Sequence, residues 1–192
     1  MRPYFKLAAY LLIGGLIGLV SAWAAIGDQY GLFRKQSGPW ITWPNAGSPE
    51  ADPYTIAHFA RAGILPAKKL EVLYFYAKTD SAGQPILARC TYTISGDVLL
   101  TSAWSLTLYD GDGQLIRNPA RRYGFNNRNV IRGPDGSYVI WLAPAASPGN
   151  WLPGGRRGAR QLVLRLYNPD RGYVGAPEAV PLPQIKKTGC SA

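Results

Sequence analysis

Histidine is almost missing from this chain of 192 residues: His58 is the only one. Histidine is the commonest general base and the commonest zinc ligand, so most catalytic constellations and every multi-histidine metal site are excluded at once. Cysteine is scarce too. Cys90 and Cys190 stand far apart and form no Cys-x-x-Cys motif, which removes the usual redox and zinc patterns. Acidic residues number 11 against 21 Lys+Arg, for a net charge of +10. Only 17% of residues are charged while 47% are apolar, a balance that excludes a disordered chain and requires a packed core. A single domain is the expectation at this length.

What the chain does have is one long run without charge. Arg2 and Lys6 precede Leu7–Ile26, in which no residue is charged. As a helix rising about 1.5 Å per residue, such a run spans roughly 30 Å, the hydrocarbon thickness of a bilayer. Residues 1–26 therefore read as a retained membrane anchor. A cleaved secretory signal is the competitor, since Ala22-Trp23-Ala24 is a small-x-small site, but the run exceeds the usual apolar core of about 7 to 15 residues. Gly14 and Gly18 have the spacing that lets two membrane helices approach, although glycine is common in such helices anyway.

With the short N-terminus in the cytoplasm, everything from Gly27 onward is expected across the membrane, carrying +8. There a basic surface meets anionic lipid, acidic glycan or an envelope protein rather than nucleic acid; a surface serving only solubility is the alternative. An oxidising compartment also suits Cys90 and Cys190. Their pairing would close a loop of about 100 residues, worth roughly 4.7 kcal/mol on the chain-entropy model; two free thiols are the alternative.

Residues 27–69 read as a connector running over the domain surface, because Gly31, Gly38-Pro39, Pro44 and Ser48-Pro49 interrupt every period. Within it, Asp52 as N-cap and Pro53 at the first helical position start a short helix, Tyr54 to Ala62, stopped by Gly63 and carrying His58 on its surface. From Glu71 the period becomes two. Strands are expected over Glu71–Lys78, Ile86–Ile94, Thr101–Tyr109 and Gln161–Tyr167. A hairpin is expected to join Val130–Arg132 to Ser137–Leu142 about Pro134-Asp135-Gly136, and Asp110–Gly113 turns the chain toward Leu115 and Ile116. The proline-rich tail Ala176–Ile185 can at most be an edge strand. The fold class is mainly β: a jelly-roll-like antiparallel β-sandwich over residues 70–192, preceded by one transmembrane helix and a short helix.

Chemistry-bearing residues are few. Asp110, Asp112 and Gly113 begin like a calcium loop, but Leu115 stands where glycine is required and Arg121 where a bidentate glutamate is required. No metal or cofactor is expected. Asp97, Asp110, Asp112 and Asp135 lie at turns, which accounts for each of them; paired carboxylates for glycoside hydrolysis are the competing reading. Arginine is the distinctive residue: all ten basic residues between Asp110 and Arg171 are arginines, against four aspartates. Its planar fork suits phosphate, sulfate or carboxylate. Arg121, Arg122, Arg156 and Arg157 lie in loops and form a candidate anion site if those loops converge, a solvated rim if they diverge. Trp104 shares a strand face with Leu106 and Leu108 and belongs to the core; Asn150 and Trp151 lie in a loop, where the indole is either a plug on the sheet or a binding platform.

Several of these segments carry a resemblance. Ala103-Trp104-Ser105-Leu106-Thr107-Leu108-Tyr109-Asp110, Asn118-Pro119 with Arg121-Arg122-Tyr123, Asp135-Gly136-Ser137, Asn150-Trp151-Leu152-Pro153 and Leu164-Arg165-Leu166-Tyr167-Asn168-Pro169 resemble, in order, the domain of unknown function 1214 family, over about Leu70 to Ile185. The resemblance implies a jelly-roll β-sandwich from a largely bacterial family without a settled activity, here in a short, membrane-anchored form. Gly154-Gly155-Arg156-Arg157 departs from the family pattern by adding charge. Together these readings describe a single-pass inner-membrane protein with its C-terminal domain in the periplasm, a non-catalytic binding or scaffolding module for an anionic envelope component. An envelope-acting hydrolase on a glycan or a sulfate or phosphate ester is the alternative.

Overall fold

The computed structural model describes residues 3–27 and 33–190, so Arg2 and Gly31 lie outside the described residues. The chain forms two compact units, Met1–Arg34 with Asn45–Ala67, and Lys35–Pro44 with Lys68–Ala192.

In the first unit, α1 (Pro3–Ala25) is a continuous helix with no buried residue. It is long and apolar enough to cross a membrane. The second helix, α2 (Pro53–Arg61), has the ends its residues dictate. The Asp52 carboxylate accepts the amides of Tyr54 and Thr55 at 3.0 and 2.9 Å, and Pro53 takes a position that needs no donor. Gly63 adopts the left-handed φ of 65° that lets the Ile64 amide reach back to Phe59 O at 3.0 Å.

The second unit is mainly β and forms a jelly-roll-like sandwich. Its strands are β1 (Lys35–Ser37), β2 (Trp40–Thr42), β3 (Val72–Ala77), β4 (Cys90–Gly96), β5 (Thr101–Asp110), β6 (Gly124–Asn126), β7 (Tyr138–Ala143), β8 (Asn150–Pro153), β9 (Arg160–Pro169) and β10 (Gln184–Cys190). A six-stranded sheet runs β1-β2-β3-β9-β5-β6 and a four-stranded sheet β10-β4-β7-β8. Alternation explains the layers. Leu73 and Phe75 of β3, Leu162, Leu164 and Leu166 of β9, and Trp104, Leu106 and Leu108 of β5 share one core with Tyr92, Ile94, Ile140, Leu142, Leu152 and Ile185 of the other sheet. Each fully buried leucine contributes roughly 1.5–3 kcal/mol.

Four expectations need correction. The connector supplies a hairpin: Gly38-Pro39 is the tip between β1 and β2, Gly38 having a φ of 57°, and Trp40 is buried with its indole N–H donating to Pro183 O at 2.7 Å. The glycine and proline that interrupt the period there mark a turn inside the sheet. Val130–Arg132 is no strand, because Asn150 occupies its edge: the Ile131 amide donates to Asn150 Oδ1 at 2.7 Å and Asn150 Nδ2 donates to Ile131 O at 2.8 Å. Only the turn survives, closed by the Gly133 amide on Ser137 O at 2.8 Å. The segment around Trp151, read as a loop, is β8. It pairs with β7 in parallel, so the four-stranded sheet is mixed rather than antiparallel.

The tail becomes an edge strand, as its composition allows, beginning where the prolines end. Cys190 stands opposite Cys90 in the register of β10 on β4, and the two form a disulfide across 100 residues of chain. A Cys190→Ala variant is expected to unfold at a clearly lower temperature in neutral detergent, by an amount of order 4 kcal/mol on the loop-entropy model, while the wild type shows no alkylatable thiol by non-reducing mass spectrometry. Free thiols at both positions would contradict this pairing.

Candidate functional site

Arg160 opens β9 and is only 5% exposed. Its guanidinium donates to Gly154 O at 2.6 Å, Ala159 O at 2.7 Å and Arg157 O at 2.8 Å. All three carbonyls belong to one loop, so the buried cation curls residues 154–159 around itself. Gly155, at a φ of 75°, is required twice over: a Cβ there would also meet Arg160 Nη2 at 2.7 Å. Burial pushes the Arg160 pKa down from its ordinary value, opposed by Asp110 directly across in register, and the group stays charged at neutral pH.

The loop is also zipped to the segment entering β4. The Ala88 amide donates to Gly158 O at 3.0 Å, the Arg160 amide to Ile86 O at 2.8 Å, and Leu87 forms a bridge with Ala159. Between the two segments lies a cleft of about 290 Å³ lined by Leu87, Ala88, Arg89, Arg156, Arg157 and Gly158. Three of its six lining residues are arginines, all exposed, and none is acidic. Arg156 and Arg157 are thus brought together, with Arg89 as a third member that the sequence did not single out. Arg89 sits alone in the chain; only the pairing of its segment with the Arg160 loop makes it a neighbour.

Arg121 and Arg122 lie at the same end of the sandwich but do not line the cleft. Their loop approaches the other at Ile116, 3.2 Å from where a Gly155 Cβ would be. Arg122 donates to Trp151 O at 3.0 Å and stands 5.4 Å over the Phe125 ring, tying its loop to β8. Arg121 is exposed at a left-handed φ of 49°, its amide closing a turn on Asn118 O.

Asn150 and Trp151 face inward tasks. Asn150 is buried on the Ile131 backbone and Val139 O, and the Trp151 indole N–H donates to Ala143 O at 3.1 Å, packing the ring back on the sheet. Trp104 is core and stacks on Tyr138 with centroids 5.1 Å apart; burial raises the Tyr138 pKa well above its usual value. Arg165 is spent on the outer face of the six-stranded sheet, donating to Tyr109 Oη at 3.0 Å. Beside it, Tyr76 is pushed up to about 12, chiefly by burial.

Asp110 and Asp135 lie at opposite ends of the sandwich. Asp110 caps its own turn through the Asp112 and Gln114 amides at the end of β5 that faces Arg160. Asp135 caps Ser137 beside the start of β7, which pairs with Gly96 at the other end of β4. Among the described residues no group of three or more His, Cys, Asp or Glu could hold a metal ion.

Residues 71–171, just over half of the chain, match the family described as Protein of unknown function (DUF1214). The crystal structure of the VPA0106 protein from Vibrio parahaemolyticus is similar at 23% identity and a TM-score of 0.61, over 72% of this chain and 36% of that one. An uncharacterised protein from Burkholderia cenocepacia is similar at 23% identity and a TM-score of 0.42, over 62% of this chain and 29% of that one. The chain therefore spans about a third of the length of these solved relatives, and at this identity the first likeness speaks to fold alone. No curated protein matches the chain.

Replacing Arg160 strands three carbonyls. Arg160→Met is expected to destabilise the chain by about 3 kcal/mol in chemical denaturation and to open residues 154–159 to proteolytic nicking. Arg160→Lys recovers little, since a single ammonium cannot reproduce the fork. A methionine variant as stable and as protease-resistant as the wild type would contradict this role.

Proposed function

The chain belongs to the DUF1214 family, and from that premise we propose that it is a membrane-anchored binding module that captures an anionic component of the bacterial cell envelope in the Arg89, Arg156 and Arg157 cleft. The observation that carries this reading is the cleft itself: three exposed guanidinium-bearing residues on about 290 Å³, with no carboxylate in the lining. Such a lining attracts phosphate, sulfate or carboxylate groups by charge and by planar hydrogen bonding. It offers no acid/base pair, and the separation of Asp110 from Asp135 across the sandwich favours binding over hydrolysis.

The location is part of the proposal. α1 anchors the chain in the inner membrane, and the β unit faces the periplasm, where the Cys90–Cys190 disulfide persists. Two features make the cleft a standing surface rather than an adaptable loop: Arg160 holds the loop that forms one wall, and Gly155 permits the close approach. A preformed site loses less conformational entropy on binding.

The test uses the full chain in neutral-detergent micelles passed over immobilised lipopolysaccharide and over immobilised phosphatidylglycerol. Retention on at least one support is expected, falling steeply as salt is raised to about 0.5 M. The Arg156→Ala/Arg157→Ala double variant should lose about tenfold in affinity, equivalent to roughly 1.4 kcal/mol, with unchanged thermal stability. Equal retention of variant and wild type, or none by either, would overturn the reading.

A further inference from the structure

One stripe of α2 grips the chain where it leaves α1. Tyr54, His58 and Arg61 follow one another at i, i+4 and i+7, so they lie on one helix face. Each meets a different point of the exit. The Arg61 Cζ lies 3.9 Å from the Trp23 ring centroid, His58 Nδ1 lies 3.0 Å from Ile26 O, and the Tyr54 ring stacks on Phe33 with centroids 6.3 Å apart. The three contacts hold α2 against the end of the apolar helix, within one compact unit.

The surface so assembled is unusual for water. Trp23 is 61% exposed, Phe33 61%, and Leu65, just past the Gly63 turn, 96%. Arg61 is exposed and has no carboxylate within ion-pair distance among the described residues. A stacked indole and guanidinium with exposed aliphatic and aromatic neighbours suits one environment, the headgroup layer of a bilayer. There the rings and aliphatic chains enter the acyl boundary and the cation meets lipid phosphate.

We propose that α2 and the turn after it form an interfacial collar on the bilayer crossed by α1, with Arg61, seated on Trp23, as a ligand for phospholipid phosphate. This rests on α1 spanning the membrane and is independent of the arginine cleft. The collar fixes the direction in which the chain leaves the membrane surface, because α2 cannot follow the apolar helix into the hydrocarbon with Arg61 and the Asp52 cap attached.

The test places single nitroxide labels on the full chain in nanodiscs of phosphatidylethanolamine and phosphatidylglycerol, with the native disulfide intact. Leu12→Cys reports on the anchor and Leu65→Cys on the collar, each read by the ratio of oxygen to water-soluble nickel accessibility. The Leu12 label is expected in the hydrocarbon and the Leu65 label near phosphate depth. Adding Arg61→Glu should move the Leu65 label several-fold toward the aqueous ratio and leave the Leu12 label unchanged, whereas Arg61→Lys should hold both. A Leu12 label reading water would overturn the anchor and the collar with it. A Leu12 label in hydrocarbon with a Leu65 label reading water, or one indifferent to Arg61→Glu, would overturn the collar alone.

Discussion

The alternation of Leu162, Leu164 and Leu166 along β9, closed at its first residue by a buried arginine, is the constraint on which the rest of the β unit depends. Leu162, Leu164 and Leu166 enter the core from the middle of the six-stranded sheet, with β3 on one side and β5 on the other. A slip of one residue would turn all three outward and bring Val163, Arg165 and Tyr167 in. Arg160 marks the start of the strand by binding three carbonyls of the loop before it. The same guanidinium therefore ends the loop, begins the strand and shapes one wall of the cleft.

The arginines of this chain serve more than one end. Arg160, Arg122, Arg132 and Arg165 are structural cations, bound to backbone carbonyls or to tyrosine and threonine hydroxyls. Lysine could not fork as Arg160 and Arg165 do, each donating through more than one nitrogen. Arg89, Arg156 and Arg157 line a cleft with no acidic residue in its lining. The chain thus uses one residue type both to build the cleft and to give it its sign. The Cys90–Cys190 bond then secures the edge strand β10 beside β4, the strand that the Arg89 segment enters.

Local signals were legible in the sequence. The charge-free run marked α1, Asp52-Pro53 and Gly63 marked both ends of α2, and alternation marked β3, β5 and β9 almost to the residue. The resemblance to the DUF1214 family was legible from five ordered motifs and is matched over residues 71–171. What escaped depends on partners distant in sequence. The hairpin at residues 35–42 is too short to show a period, and its burial comes from Pro183 and its neighbours. β8 exists because it lies parallel to β7, and Val130–Arg132 is not a strand because the Asn150 amide occupies its edge. The candidate site was half legible for the same reason. Arg156-Arg157 stood out as a pair, while Arg89 became a member only through the bridge between Leu87 and Ala159.

On the proposed function, Arg89, Arg156 and Arg157 act together on an anion while Arg160 stays behind as structure. Side-chain NMR of the full chain, ¹⁵N-labelled on arginine and titrated with inorganic pyrophosphate in neutral detergent, tests it most directly. The Nε–Hε resonances of Arg89, Arg156 and Arg157 are expected to shift together along one saturable curve, while those of Arg160 and Arg122 stay in place. Shifts spread evenly over every exposed arginine, or none at the cleft, would contradict it.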